Sequence, residues 1–212
     1  MIVTVDGPGG TGKSTVSRVL AHKAGLPHLD TGAFYRAATL AVLNSGVDPS
    51  HAAETTRVVD EARFDQVDGR MYLDGEDVSD EIRSEEVTAH VSVVSSHRAV
   101  REVMVDLQRD WVARHDGNGV VEGRDIGTVV FPDADVKIFL DARPEVRARR
   151  RANETGEGHD EVLTDLSRRD HFDSTREASP MSVPPDAVLF DTSDFDFDEV
   201  VERLYALIAA KS

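Results

Sequence analysis

Cysteine is absent from the 212 residues, which removes disulfides and thiolate metal sites and fits a reducing cytosol. No apolar run approaches the roughly 18 residues of a membrane span, and the opening "MIVTV" is too short, and lacks the basic flank, for a signal peptide. Internal repeats and low-complexity segments are also missing. A protein of the cytoplasm is expected, with no membrane partner. Net positive charge is lacking too: the formal charge is -16, which repels a polyanion over most of the surface and argues against nucleic acid as a partner. Lysine is scarce, since 20 of the 24 basic residues are arginine, and eight of those fall between Arg143 and Arg176 with no lysine among them. The planar fork of arginine suits phosphate and carboxylate, so such a cluster in an acidic chain points to a small phosphorylated ligand; a solvated basic helix face is the plainer alternative.

What is present begins almost at once. "VDGPGGTGKST", Val5 to Thr15, fits the phosphate-cradling pattern G-x-x-x-x-G-K-[ST]. Gly7, Pro8, Gly9, Gly10, Thr11 and Gly12 form the turn that points backbone N–H groups at phosphate oxygens, and the following helix N-terminus adds its partial positive charge. Lys13 is expected to reach the β and γ phosphates of a nucleoside triphosphate, the Ser14 hydroxyl is the candidate Mg²⁺ ligand, and Thr15 completes the loop.

Short apolar runs alternate with helical patterns. "MIVTV", "PHLD", "GVVEG", "VKIFLD" and "AVLFD" read as buried strands, and Val16, Val19 and Leu20 recur at helical spacing up to the stop at Gly25 and Pro27. Val200, Val201, Leu204, Leu207 and Ile208 form one more helical stripe. The pattern predicts a parallel sheet covered on both faces, a three-layer α/β/α fold. With 40% hydrophobic residues the chain can bury one sizeable core, so a single domain over 1–212 is expected. Two segments interrupt the alternation. Residues 63–78 carry Asp68-Gly69 and Asp74-Gly75 and predict a hairpin outside the main sheet. Arg151 to Glu161 is polar, with two glycines, and predicts a mobile loop or lid.

Three classes use such a phosphate loop. A GTPase should carry N-K-x-D, yet none of Asn44, Asn118 and Asn153 is followed by lysine. "DGNG" at Asp116 to Gly119 precedes a strand and reads as a turn. Nor is there a clear hydrophobic run ending in two acids, as large ATPases use. The kinase class remains.

"LDTGAFYRAAT", Leu29 to Thr39, together with "VVEGRDIGTVVFPDADVKIFLDA", strongly resembles the bacterial cytidylate kinase family, over essentially the whole chain and including the excursion near 63–78. The resemblance implies a P-loop NTPase fold of the nucleoside monophosphate kinase type, with a five-stranded parallel sheet, a monophosphate-binding part at about 31–95 and a short lid at about 148–161. It implies a monomer that uses ATP and Mg²⁺ to convert CMP or dCMP to CDP or dCDP. It places Thr31 against the bound nucleotide, Arg36 and Arg124 on the monophosphate, Ser92 on the base and Arg101 on the substrate. Arg169, Asp173 and Arg176 take the ribose and base positions, and Phe172 replaces an arginine of the pattern. Arg147, Arg150 and Arg151 match the arginines at the base of the lid, with Arg150 assigned first to the transferring phosphoryl group.

The chemistry of the base supports these roles. Cytosine offers a donor at N4 and acceptors at N3 and O2, so its pocket needs an acceptor beside an arginine donor. Asp125 and Arg176 can supply that pair, with Ser92 beside them. Asp173 and Arg169, four residues apart on one helix, are expected to face the same ligand edge, with Arg169 holding the carboxylate. A nucleotide-hydrolysing switch, or a kinase for another nucleoside monophosphate, is the alternative.

Overall fold

The first strand of the sequence lies at the centre of the sheet. In the computed structural model, which describes residues 1–211, β1 (Ile2–Asp6) lies between β6 (Gly119–Gly123) and β7 (Val136–Asp141), parallel to both. Their near-continuous apolar runs are what strands covered on both faces require. β2 (His28–Asp30) and β8 (Val188–Asp191) complete a five-stranded sheet of order β2-β6-β1-β7-β8. Asp6, Gly123 and Phe139 sit level across the three central strands. The ends of these strands therefore deliver the glycine-rich loop and the "GRD" turn side by side.

The chain divides into two compact units. The first contains Met1–His28 and everything from Val112 onward. Its core joins Val3, Val5, Val120, Ile138 and Leu140 of the sheet to Leu20 of α1 (Lys13–Ala24) and to Leu204 and Ile208 of α8 (Phe197–Ala209). Gly25 ends α1 in the left-handed conformation, at φ 65°, as the stop signal predicts. α8 starts with a capping box in which Asp196 and Glu199 bond each other's backbone N–H. After β6 the chain makes one π-helical turn, Ile126–Val130. α6 (Pro144–Thr155) and α7 (His159–Thr175) then pack through Ala148, Val162 and Leu166.

The second unit, Leu29–Trp111, holds α2 (Thr31–Asn44), α3 (Ala52–Glu61), α4 (Glu85–Ser96) and most of α5 (Arg98–Arg114). It also holds a separate antiparallel sheet of β3 (Phe64–Val67), β4 (Arg70–Leu73) and β5 (Glu76–Asp77). Both Asp-Gly pairs make its turns: Asp68 and Gly69 have φ 51° and 78°, and Asp74 and Gly75 have φ 53° and 88°, the doubly positive pattern that Asp-Gly tolerates.

Phe34, Ala38, Met71, Ile82 and Met104 are buried within this second unit. One expectation changes. The segment from Arg151 to Glu161 is mostly helical, with only residues 156–158 between α6 and α7. Ala152 and Leu163 pack on the small core between these helices, and tertiary burial of this kind overrides a polar, glycine-containing composition.

The core of the first unit gives a direct stability test. Leu204 is fully buried, so Leu204→Ala should cost about 2–5 kcal/mol, read as a lower urea midpoint with the slope unchanged. A loss below about 0.5 kcal/mol, the size of a surface substitution, would contradict the packing described.

Candidate active site

The site is built on Gly7–Thr15, and the loop's shape follows from what surrounds it. Gly7 has φ 141°, and a Cβ there would run into the carbonyl oxygen of Leu140, so only glycine passes this point. Gly10 and Gly12 are left-handed, at φ 74° and 87°. The carbonyl oxygens of the loop are held from outside. Pro8 O accepts from Lys13 Nζ at 2.7 Å and from Thr11 Oγ1 at 3.1 Å, Gly9 O from Arg147 Nη1 at 3.1 Å, and Thr11 O from Arg150 Nη1 at 3.3 Å. With these carbonyls engaged and the first-turn N–H groups of α1 without intrahelical acceptors, the concavity favours an anion.

Lys13 is buried, and that burial, reinforced by the Arg124 charge, lowers its pKa to about 7 against the pull of Glu122, Asp6 and Asp170. Glu122, at the end of β6, accepts from Ser14 Oγ at 2.9 Å through Oε2, and its Oε1 lies 3.1 Å from His28 Nε2. Among the described residues no three His, Cys, Asp or Glu side chains are grouped to hold a metal. Ser14 with Glu122 behind it instead suits an ion that takes most of its ligands from phosphate and water, as Mg²⁺ does. Asp6 is 1% exposed, and its pKa is pushed up to about 6 by burial despite two backbone hydrogen bonds.

The arginines of α6 divide by face. Arg147 and Arg150 turn toward the loop, as helical spacing predicts. Arg147 is buried; it also bonds Ala142 O at 3.0 Å and pairs with Asp170 of α7. Asp170 Oδ1 accepts from Gly9 N at 3.4 Å, so one ion pair brackets a single residue of the loop, bonding the peptide on each side of Gly9. Arg150 is committed to the segment after β8, through Thr192 Oγ1 at 2.8 Å and Thr192 O at 2.9 Å, and desolvation lowers its pKa. Arg151 pairs with Glu154 at 3.2 Å, and Arg143 pairs bidentately with Asp194 at 2.6 and 2.9 Å.

A second cluster follows β6 in the same unit. Asp173 Oδ2 accepts from Arg124 Nε at 3.0 Å, and its Oδ1 accepts from Arg176 Nη1 at 3.2 Å. Arg176 Nη2 lies 3.4 Å from Asp125 Oδ1, and its Nε donates to Ser179 O at 2.8 Å. The structure thus brings Arg124, Asp125, Asp173 and Arg176 together. It does not pair Arg169 with Asp173: Arg169 Nε lies 2.8 Å from Asp165 Oδ2, a charge contact not aligned as a hydrogen bond. An acid four residues before its base is the better helical order, so Arg169 turns back along α7.

The remaining predicted residues lie in the second unit. Thr31 opens α2 and is buried, beside the capping Asp30 that accepts from Ala33 N at 3.1 Å. Arg36 Nη1 bonds Thr88 Oγ1 at 2.9 Å and Ile82 O at 3.2 Å. Arg101 is buried, 5.2 Å over the Tyr35 ring, and donates to Ser95 O at 3.3 Å. Ser92 lies on α4, its carbonyl accepting from Ser95 Oγ at 3.2 Å.

The family model described as cytidylate kinase matches residues 3–210. This chain belongs to the cytidylate kinase family. It is 52% identical to the cytidylate kinase of Mycobacterium leprae, over 100% of this chain and 97% of that one. It is 50% identical to that of Mycolicibacterium paratuberculosis, over 100% and 96%. A solved gluconokinase from Sinorhizobium meliloti shares the fold alone, at 15% identity and TM-score 0.52, covering 99% of this chain and 91% of that chain.

Sequence reasoning missed four residues in this cytidylate kinase family site: Asp6, Glu122, Asp170 and Thr192. For Glu122 the signal was there, a buried run "GVVEG" ending in one acid. Asp170 sits between Arg169 and His171 in a charged helix, and nothing local marks it.

The lowered pKa of Lys13 has a measurable consequence. Phosphate oxygens beside Nζ favour its charged form, so at pH 8, where the empty-site lysine is mostly neutral, ATP binding should take up a proton. At pH 6 the lysine is already charged and this uptake should vanish. Calorimetry in buffers of different ionisation enthalpy should show uptake of roughly half to one proton at pH 8, lost in Lys13→Ala. Zero uptake, or release, at pH 8 in the unaltered protein would contradict the buried lysine.

Proposed function

We infer that this member of the cytidylate kinase family transfers the γ-phosphoryl group of ATP to CMP or dCMP, giving ADP and CDP or dCDP. The observation that carries the inference is the part-buried Asp125–Arg176–Asp173–Arg124 network, which follows the strand next to β1. Asp125 offers an acceptor and Arg176 donors, the complement of the cytosine edge; Ser92 is assigned to the base on the family resemblance. Uracil inverts the pattern at N3 and position 4 and leaves buried polar groups unpaired.

Roles for the other residues follow from charge and reach. Arg36, Arg101 and Arg124 are assigned to the acceptor phosphate, Thr31 to the bound nucleotide, and Asp173 to the ribose hydroxyls. Arg169 is assigned to the ribose edge only indirectly, since it pairs with Asp165. The acceptor phosphate oxygen is already anionic, so no general base is needed. It bonds to the γ phosphorus as the bond to the β-bridging oxygen breaks and ADP leaves. Lys13 steadies the β and γ oxygens. Arg147, poised at Gly9, is the better candidate than Arg150 for the transferring group. Arg150 holds the Thr192 segment against the loop. Mg²⁺, held by Ser14 with Glu122 behind it, would supply charge neutralisation on the phosphates. We assign the lid role to the α6–α7 junction, where closure would exclude water as a competing acceptor.

A monomer is the proposed working form. No helix of the described residues is long and apolar enough to cross a membrane, and the expected setting is the cytoplasm, where both nucleotides occur.

Base choice tests the reading. CMP should exceed UMP in kcat/KM by about a hundredfold or more, the scale set by unpaired polar groups, and Arg176→Met should shrink that ratio. A mutant that loses activity equally on both nucleotides would remove Arg176 from base recognition.

A further inference from the structure

β1 ends on a carboxylate that faces neither solvent nor, by the roles assigned above, either nucleotide. Asp6 is 1% exposed. Its Oδ1 accepts from Ile126 N at 2.8 Å and its Oδ2 from Gly127 N at 2.7 Å. These two N–H groups open the π-helical turn that begins directly after Arg124 and Asp125. They have no acceptor within that turn, because its first internal bonds run from Val129 N and Val130 N back to Asp125 O. A carboxylate about 120 positions away in sequence therefore fixes the turn to the strand that carries the phosphate loop. Asp6 pairs in register with Gly123, so the tether acts within three residues of the groups assigned to acceptor phosphate and base.

The approach is close enough to exclude a side chain. A Cβ on Gly127 would lie 2.8 Å from Thr4 Oγ1, 3.1 Å from Pro184 Cγ and 3.3 Å from Asp6 Oδ2. Gly127 has a φ outside the left-handed region, so backbone freedom is not its reason for being glycine; the space taken by β1 and its carboxylate is. Two residues far apart in sequence, Asp6 and Gly127, thus make one junction.

We propose that Asp6 is a positioning residue for the acceptor: its bidentate hold on Ile126 and Gly127 sets Arg124 and Asp125 where they can read a cytidine monophosphate. The inference rests on the acceptor roles proposed for those two residues. It goes beyond them in making acceptor affinity and base choice depend on the end of β1, a group that touches neither substrate. ATP affinity should depend on it much less, since the loop carbonyls are held by Lys13, Arg147 and Arg150.

Asp6→Asn tests this with little change in volume. An asparagine can accept one of the two N–H groups but turns its own NH₂ toward the other. The expected result is a rise in KM for CMP of roughly tenfold to a hundredfold, the scale of one lost charge-assisted hydrogen bond, with KM for ATP changed less than about twofold and a reduced preference for CMP over UMP. Gly127→Ala should reproduce this split by pushing the turn off the carboxylate, and it keeps the test open if Asp6→Asn folds poorly. A purely structural role would lower Tm and active fraction in both variants without separating the two KM values. Equal losses for ATP and CMP, or an unchanged KM for CMP in a folded Asp6→Asn protein, would overturn the proposal. Arg124→Met and Asp125→Asn, assayed alongside, tell its failure apart from that of the functional reading: if they too leave CMP unaffected, the acceptor roles themselves are wrong.

Discussion

Three cations hold the carbonyl oxygens of one short loop, and the rest of the site depends on that arrangement. Lys13, Arg147 and Arg150 bond Pro8, Gly9 and Thr11 respectively. The Gly9–Gly10 and Thr11–Gly12 peptides, with their carbonyls tied, turn their N–H groups to the other side, whereas Gly9 N is already given to Asp170; N–H groups so turned at a helix N-terminus favour an anion. The cost of three buried or half-buried cations is met locally by Glu122, Asp170 and the loop itself. The pKa of Lys13, lowered to about 7, measures how incomplete that compensation is without phosphate. An anionic ligand completes it.

The same economy recurs beside the loop. A chain of net charge -16 gathers arginines beside the loop and pairs three of them with carboxylates: Arg147 with Asp170, Arg124 with Asp173, and Arg176 with Asp125 and Asp173. Buried ion pairs are poor sources of stability, because desolvation offsets much of their attraction. Here they keep side chains preorganised, and the carboxylates balance positive charge that the arginines would otherwise carry alone. Asp6 belongs to this set in a different way, since its partners are backbone N–H groups and its effect is on the path of the chain.

Much of this was legible in the sequence, for physical reasons that can be named. The glycine-lysine loop, the five strands and the two Asp-Gly turns all rest on local signals: backbone sterics, apolar runs, and tolerance of positive φ; the burial expected of the last strand is not found, since Val188 and Leu189 of β8 are exposed. The pairing of Asp125 with Arg176 followed from the hydrogen-bond pattern of cytosine and from the family resemblance. What was not legible was decided at a distance. The helical ends of α6 and α7 come from packing between helices, which polar composition hides. Arg169 chooses Asp165 over Asp173, a choice between two partners at equal spacing. Glu122, Asp170 and Thr192 acquire their places only when the sheet sets strand ends beside the loop.

In the proposed reaction the phosphoryl group leaving ATP passes to CMP and is kept from water. Following both nucleotides by ³¹P NMR, with ATP and CMP together, tests this most directly. ADP and CDP should form in equal amounts with almost no inorganic phosphate, and omission of CMP should nearly stop ATP consumption. Inorganic phosphate accumulating in step with ADP while CMP persists would contradict it, and would mark the protein as a nucleotide-hydrolysing switch.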